Sequence, residues 1–176
     1  MSAPPVRCVV DTNVAVTANG RDGALPPSCV AECARALDRV MRSGHLFIDD
    51  SSRIVAEYRT NLSAKGQPGP GDAFLKWLLT NEWSVERVTR VVLTPMDTDP
   101  NDFEESPRPP VGITYDPSDR KYLAVAAAHP GRPPILQALD SKWWGWKDAL
   151  ESSGVTVYFL CPEEIAATHS KKTSRR

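Results

Sequence analysis

The sequence is poor in the residues that build zinc sites and disulfide frameworks. Its three histidines, His45, His129 and His169, lie far apart and lack zinc-ligand spacing. Its four cysteines, Cys8, Cys29, Cys33 and Cys161, are too few and too scattered for a disulfide framework. Cys29 and Cys33 fall four apart on one face of an expected helix, so buried free thiols are the expectation. No run approaches the roughly 20 apolar residues that span a bilayer. The segment from Met1 to Cys8 has neither the basic nor the apolar region of a secretory leader. No membrane partner and a cytoplasmic location are therefore expected. Positive charge is also lacking: a net charge of −1 cannot hold a duplex by electrostatics alone, because non-specific affinity comes from many phosphate contacts.

What is present suits one globular domain. A chain of 176 residues, 41% hydrophobic, can close one sizeable core, and residues 1–168 read as a single unit. Basic groups occur locally, at Arg120 and Lys121, and at Lys142 and Lys147 beside Trp143, Trp144 and Trp146. More lie in residues 169–176, with Lys171, Lys172, Arg175 and Arg176, which read as a disordered tail. Packing in the core is the expectation for at least two of the three tryptophans.

Apolar patterning predicts alternating strands and helices. Val6 to Val10 reads as a strand buried on both faces, ending at Asp11. After a loop, Ser28 is placed to cap a helix that Gly44 ends. His45 to Ile48 is a second strand, and Asp50 or Ser51 then caps a helix carrying Glu57. A Gly/Pro turn from Gly66 to Gly71 precedes a helix capped by Asp72, and Arg87 to Leu93 is a third strand. From Thr94 to Tyr115 prolines accompany Asp97, Asp99, Asp102, Glu104 and Glu105, a composition that predicts a long, partly mobile loop dispensable for folding. Asp116 then opens a helix with Asp119 in its first turn. Ile135 to Leu139 is a fourth strand ending at Asp140, Trp143 to Glu151 a helix, Val155 to Leu160 a fifth strand, and Pro162 starts a short last helix. This alternation predicts an α/β fold, a three-layer α/β/α sandwich around a parallel sheet of about five strands, with ligands beyond the carboxyl ends of the strands.

Four acids are expected to converge there. Asp11 and Asp140 each follow a buried strand, while Glu57 and Asp119 lie on helices entered from the same edge. Oxygen-only ligands suit Mg²⁺ or Mn²⁺, and without a cation such carboxylates repel and raise one another's pKa values. Each acid also has a simpler role open to it. Asp116 and Asp119 resemble a capping box, Asp140 and Asp11 suit an N-cap and an Asx turn, and Glu57 can pair with Arg53.

The segments Val9-Val10-Asp11-Thr12-Asn13, Ile54-Val55-Ala56-Glu57-Tyr58, Asp116-Pro117-Ser118-Asp119 with its helix, and Leu139-Asp140-Ser141 resemble the PIN-domain family of metal-dependent ribonucleases, over Val6 to about Ile165. The resemblance implies a five-stranded parallel sheet, one or two Mg²⁺ or Mn²⁺ ions, and RNA hydrolysis leaving 5′-phosphate and 3′-hydroxyl ends. It implies metal ligation by Asp11, Glu57, Asp119 and Asp140, with Asp116 auxiliary and Asn13 orienting Asp11 or substrate. Thr12, Ser141, Lys142 and Trp143 are further candidates for substrate contact, and an antitoxin-like inhibitor protein or a homodimer are candidate partners. The extra length, the acidic loop and the Trp cluster depart from the compact toxin members and weigh against a toxin–antitoxin role. Two other readings remain open. One is a catalytically idle RNA-binding or protein-interaction module. The other is an aspartyl-phosphate phosphatase using Asp11, for which Asn13 stands where a second Asp is wanted.

Overall fold

Strands and helices alternate in the computed structural model, which describes residues 3–21, 23–65 and 68–174. Gly66 of the expected turn and Arg175 and Arg176 of the basic tail lie outside these residues. Strand β1 (Arg7–Val10) is buried at all but its first residue and β2 (His45–Asp49) throughout, which is why both read as continuous apolar runs. Helices α1 (Thr12–Ala18) and α2 (Pro27–Ser43) join them. Helices α3 (Arg53–Asn61) and α4 (Pro70–Asn81) lead to β3 (Val88–Val91). After a long irregular segment come α5 (Arg120–Ala128), β4 (Ile135–Gln137), α6 (Ser141–Ser152), β5 (Val157–Phe159) and α7 (Pro162–Thr173).

The five strands form one parallel sheet in the order β3-β2-β1-β4-β5. The general right-handedness of parallel crossovers puts the helices between β1 and β3 on one face and α5 and α6 on the other, consistent with a three-layer α/β/α sandwich. Helices α1, α2 and α4 pack on one another, and α5 packs on β1, β2 and β4. The α1–α4 approach is close: a Cβ on Gly71 would stand 2.0 Å from the Ala15 carbonyl oxygen, so only glycine fits. Strand order reverses between β1 and β4, the position where open α/β sheets leave a crevice.

Local chemistry moves several expected boundaries. Helix α1 replaces an expected loop; its Thr12, Val14, Val16 and Thr17 are weak helix formers, and burial of five of its seven residues against the core overrides that propensity. Helix α2 starts at Pro27, with Pro26 rather than Ser28 at the N-cap, and Gly44 ends it as expected. Helix α3 is held by the buried Asp49, not by Asp50 or Ser51: Asp49 accepts from the Arg53 and Ile54 amides at 2.7 and 2.8 Å. Asp72 lies inside the first turn of α4, where it accepts from the Ser63 amide at 2.9 Å and pairs with Arg21. Asp119, not Asp116, is the N-cap residue of α5.

Two expectations are overturned. Cys29 and Cys161 form a disulfide, joining α2 to the start of α7, and only Cys8 and Cys33 are free buried thiols. The pairing was hidden because its partners lie 132 residues apart in sequence. The expected disordered tail is helical through Thr173, and Lys172 on it donates to Ser141 Oγ at 3.0 Å.

The acidic loop, finally, is anchored. Phe103 is 1% exposed, Pro95 bridges to it, and Asp99 and Asp102 pair with Arg120 and Arg108 at 3.0 and 2.9 Å. A phenylalanine among the acids thus supplies the buried anchor that the composition alone conceals. Replacing Phe103 with Ala is expected to lower stability by about 3 to 5 kcal/mol, as for other large buried side chains. Urea denaturation measures this, and a shortened loop lacking Phe103 should show the same loss. An unchanged midpoint for both would restore the dispensable loop.

Candidate active site

Three hydrogen bonds between distant elements converge around Asp11, the residue that leaves β1 and caps α1. Tyr58 in α3, fully buried, donates its hydroxyl to the Val10 carbonyl. Tyr122 in α5 shares a 2.6 Å hydrogen bond with the Thr12 hydroxyl. Asn13 accepts at its side-chain oxygen from the Leu139 amide at 2.8 Å, tying α1 to the turn after β4. These contacts seat Glu57, next to Tyr58, Asp119, three residues before Tyr122, and Asp140, next to Leu139, at one sheet edge. Neither tyrosine stood out in the sequence, where both read as apolar helix positions.

Asp11 is 5% exposed, and one carboxylate oxygen accepts from the Asn13 amide at 2.7 Å. Burial, followed by the charge of Asp119 and smaller contributions from Glu57 and Asp140, pushes its pKa up to about 8, although the Asn13 amide pulls it down. The expected convergence therefore appears as mutual repulsion of charges. Asp119 is also raised, to about 6, mainly by burial, with Asp140 and Asp116 adding to the shift and Lys142 opposing it.

Two lysines answer this negative charge. Lys142 Nζ lies 2.8 Å from Asp116 and 3.4 Å from both Asp119 and Asp140. Its hydrogen bond, with two more from Ser118, brings Asp116 down to about 2. Partial burial alone would depress the Lys142 pKa, but the three carboxylates hold it above its ordinary value. Lys121 pairs with Glu57 and donates to the Ser118 carbonyl. Arg53, the sequence-based partner for Glu57, turns away to the Pro100 carbonyl at 2.6 Å and lies over the Phe103 ring. Asp140 caps α6 by accepting from the Lys142 amide at 3.0 Å, so its capping role and its place at the edge coexist.

The candidate substrate residues divide. Lys142 is exposed at the edge. Thr12, Asn13 and Ser141 are spent on the internal hydrogen bonds described above, with Thr12 and Ser141 buried. Trp143 is fully buried and Trp146 nearly so, which removes Trp143 as a stacking platform and meets the expectation that two of the three are core. Trp144 is half-buried, edge-on to Phe159 with Lys147 over its ring at 4.2 Å, in a groove away from the acids.

The donor set is oxygen-only and electron-rich, which suits a hard divalent cation. Among the described residues, however, no three of these carboxylates each bring an oxygen within 4.8 Å of the others. The Lys142 ammonium already lies among three of them, marking the place where positive charge is required. A groove of about 530 Å³ runs beside the edge, lined by Arg53, Asn101, Phe103, Ser118 and Lys121. No family model, curated protein or solved structure matches the chain.

The Asp11 shift has a definite sign. Between the ordinary carboxylate pKa of 3.8 and about 8 the folded state keeps a proton that the unfolded chain releases, so stability falls as pH rises through that window. Without added metal, Asp11→Asn should be more stable than the native protein, with an advantage that grows from pH 4 to pH 8 by up to about 1.4 kcal/mol per unit. Denaturation midpoints of both proteins across this range, in a chelator, test it. A constant difference would mean that Asp11 is ionised throughout.

Proposed function

We propose that the chain is a divalent-metal-dependent ribonuclease of PIN-like kind that hydrolyses phosphodiester bonds of single-stranded or looped RNA. The observation that carries this reading is Asp11. A carboxylate buried beside three other acids, at the point where strand order reverses, is costly unless a cation or a reaction uses it. Asp11, Glu57, Asp119 and Asp140 would hold Mg²⁺ or Mn²⁺, with Asp116 auxiliary. When bound, such an ion lowers the pKa of a coordinated water and stabilises charge on the leaving oxygen.

The protein's own residues supply position and charge. Asn13 and Tyr58 hold Asp11 and the β4 turn in register, which keeps the acids at one edge of the sheet. Arg53 and Lys121 line the groove beside the edge and favour a phosphate-bearing chain. Lys142 neutralises Asp116, Asp119 and Asp140, and its ammonium stands at the same edge where a substrate phosphate would have to approach. The near-neutral net charge and these few local cations favour unpaired RNA over a duplex backbone.

The lysine pairs also favour a second reading, an idle module in which Lys142 and Lys121 permanently close the acids into an ion-pair network. Aspartyl-phosphate chemistry is less well supported, because Asn13 is engaged with the Leu139 amide where a general acid would be needed.

Asp11→Asn and Asp140→Asn are each expected to lower Mn²⁺-dependent cleavage of mixed RNA by more than about 100-fold, beyond what loss of a supporting contact costs. Cleavage at the native rate by either variant sinks the assignment. Lys142→Ala separates the two readings. Removal of a competing ammonium should tighten Mn²⁺ binding by up to about fivefold, in line with about 1 kcal/mol for a partly exposed ion pair. Calorimetry showing no Mn²⁺ binding in either protein favours the idle module. At fixed salt, an unpaired RNA should be cut faster than a hairpin of the same composition.

A further inference from the structure

Away from the carboxylate edge, metal-ligating side chains gather again among the described residues. Cys29 and Cys33 occupy consecutive turns of α2, and Cys161 is the N-cap residue of α7. The three sulfurs all lie within 4.8 Å of one another. Two of them form the Cys29–Cys161 disulfide, and the third, Cys33, remains a free buried thiol beside it. Three sulfurs on two different helices form a nest that a single disulfide does not require.

The surroundings suit a cation. A surface pocket of about 470 Å³ opens onto Cys29 and Cys161 and is lined by Ser28, Glu32 and Glu164. Glu164 accepts from Ser28 Oγ at 3.4 Å, and Glu32 accepts from Arg35 Nε at 3.2 Å. Cys33 is fully buried, with its sulfur against the other two rather than in solvent. Thiolates in a tetrahedral zinc site sit about 2.3 Å from the metal and therefore about 3.8 Å apart, a spread that the nest can reach once the sulfur–sulfur bond opens.

We propose that Cys29, Cys33 and Cys161 form a redox-gated site for one thiophilic divalent cation, of which Zn²⁺ is the type. The cation binds the reduced protein, and Glu164 or a water in the pocket completes its coordination. Opening the site requires a two-electron dithiol reductant. The Cys29–Cys161 bond breaks, each sulfur gains a hydrogen, and the two reductant thiols close as their own disulfide. Zinc then displaces three protons, one from each cysteine. Disulfide and metal exclude each other, and either one fastens α2 to α7. The site is independent of the carboxylate edge, whose oxygen ligands suit harder cations.

Cobalt(II) distinguishes the two places, because only thiolate ligands give an intense sulfur-to-cobalt charge-transfer band. The full chain, reduced without oxygen, should develop that band with one Co²⁺ per molecule and lose it when one equivalent of Zn²⁺ is added. The oxidised chain should show no band. Cys33→Ala keeps the disulfide pair and should lose at least about 100-fold in Zn²⁺ affinity, whereas Cys8→Ala should match the native protein and Asp11→Asn should keep the full cobalt band. In a second measurement that needs no variant, Zn²⁺ should protect Cys29, Cys33 and Cys161 of the reduced chain from alkylation, leaving Cys8 unprotected. A reduced protein without the band, or a Cys33→Ala protein with an undiminished band, overturns the proposal. So does equal alkylation of all three cysteines with and without Zn²⁺.

Discussion

Asp11 and Asp140 come together because β1 pairs on one side with β2 and on the other with β4. Everything at the acidic edge depends on that double pairing. Parallel strands end at a common side, so each chain exit from β1 and β4 delivers a carboxylate to the same crevice, and the crossover helices bring Glu57 and Asp119 in from either face. Asn13 secures the pairing where the ladder ends, its amide oxygen taking the Leu139 N–H that would otherwise go unbonded in the turn. The hydroxyls of Tyr58 and Tyr122 do the same for the two flanking helices.

The lysines change how the edge is balanced electrostatically. Four or five clustered carboxylates imply strong repulsion if considered alone, and Asp11 does show its effect. Lys142 and Lys121 nonetheless offset part of that repulsion through ion pairs with Asp116, Asp119, Asp140 and Glu57. Charge complementarity at this edge is therefore built from two sources. One is fixed and belongs to the chain; the other, under the proposed reading, is exchangeable.

The fold class was legible because it rests on long-period signals: two apolar runs buried on both faces, and strands alternating with helices. Asp11 and Asp140 were legible for the same reason, since each directly follows such a run. Less legible was anything decided by tertiary packing. Helix α1 is short and rich in β-branched residues, and Asp49, at the end of an apolar run and next to Asp50, serves as the buried cap of α3. Phe103 is one aromatic in an acidic, proline-rich segment, and Cys161 meets Cys29 only because the chain closes on itself. Trp143 beside Lys142 read as a surface platform, although helical geometry turns adjacent residues to different faces, leaving one inside and the other out.

The anchored loop from Thr94 to Tyr115 divides the molecule in a way that the continuous sheet conceals. Everything before it builds β1, β2 and β3 and carries Asp11 and Glu57; everything after it builds β4 and β5 and carries Asp116, Asp119 and Asp140. The β1–β4 pairing is thus the seam between two half-molecules, and the acidic edge lies across it. The Cys29–Cys161 bond spans the same seam, with one partner in each half. A protease cut within the loop would leave both halves covalently joined and their strands still in register. While the disulfide persists, the loop can be severed without the two halves of the acidic edge parting company.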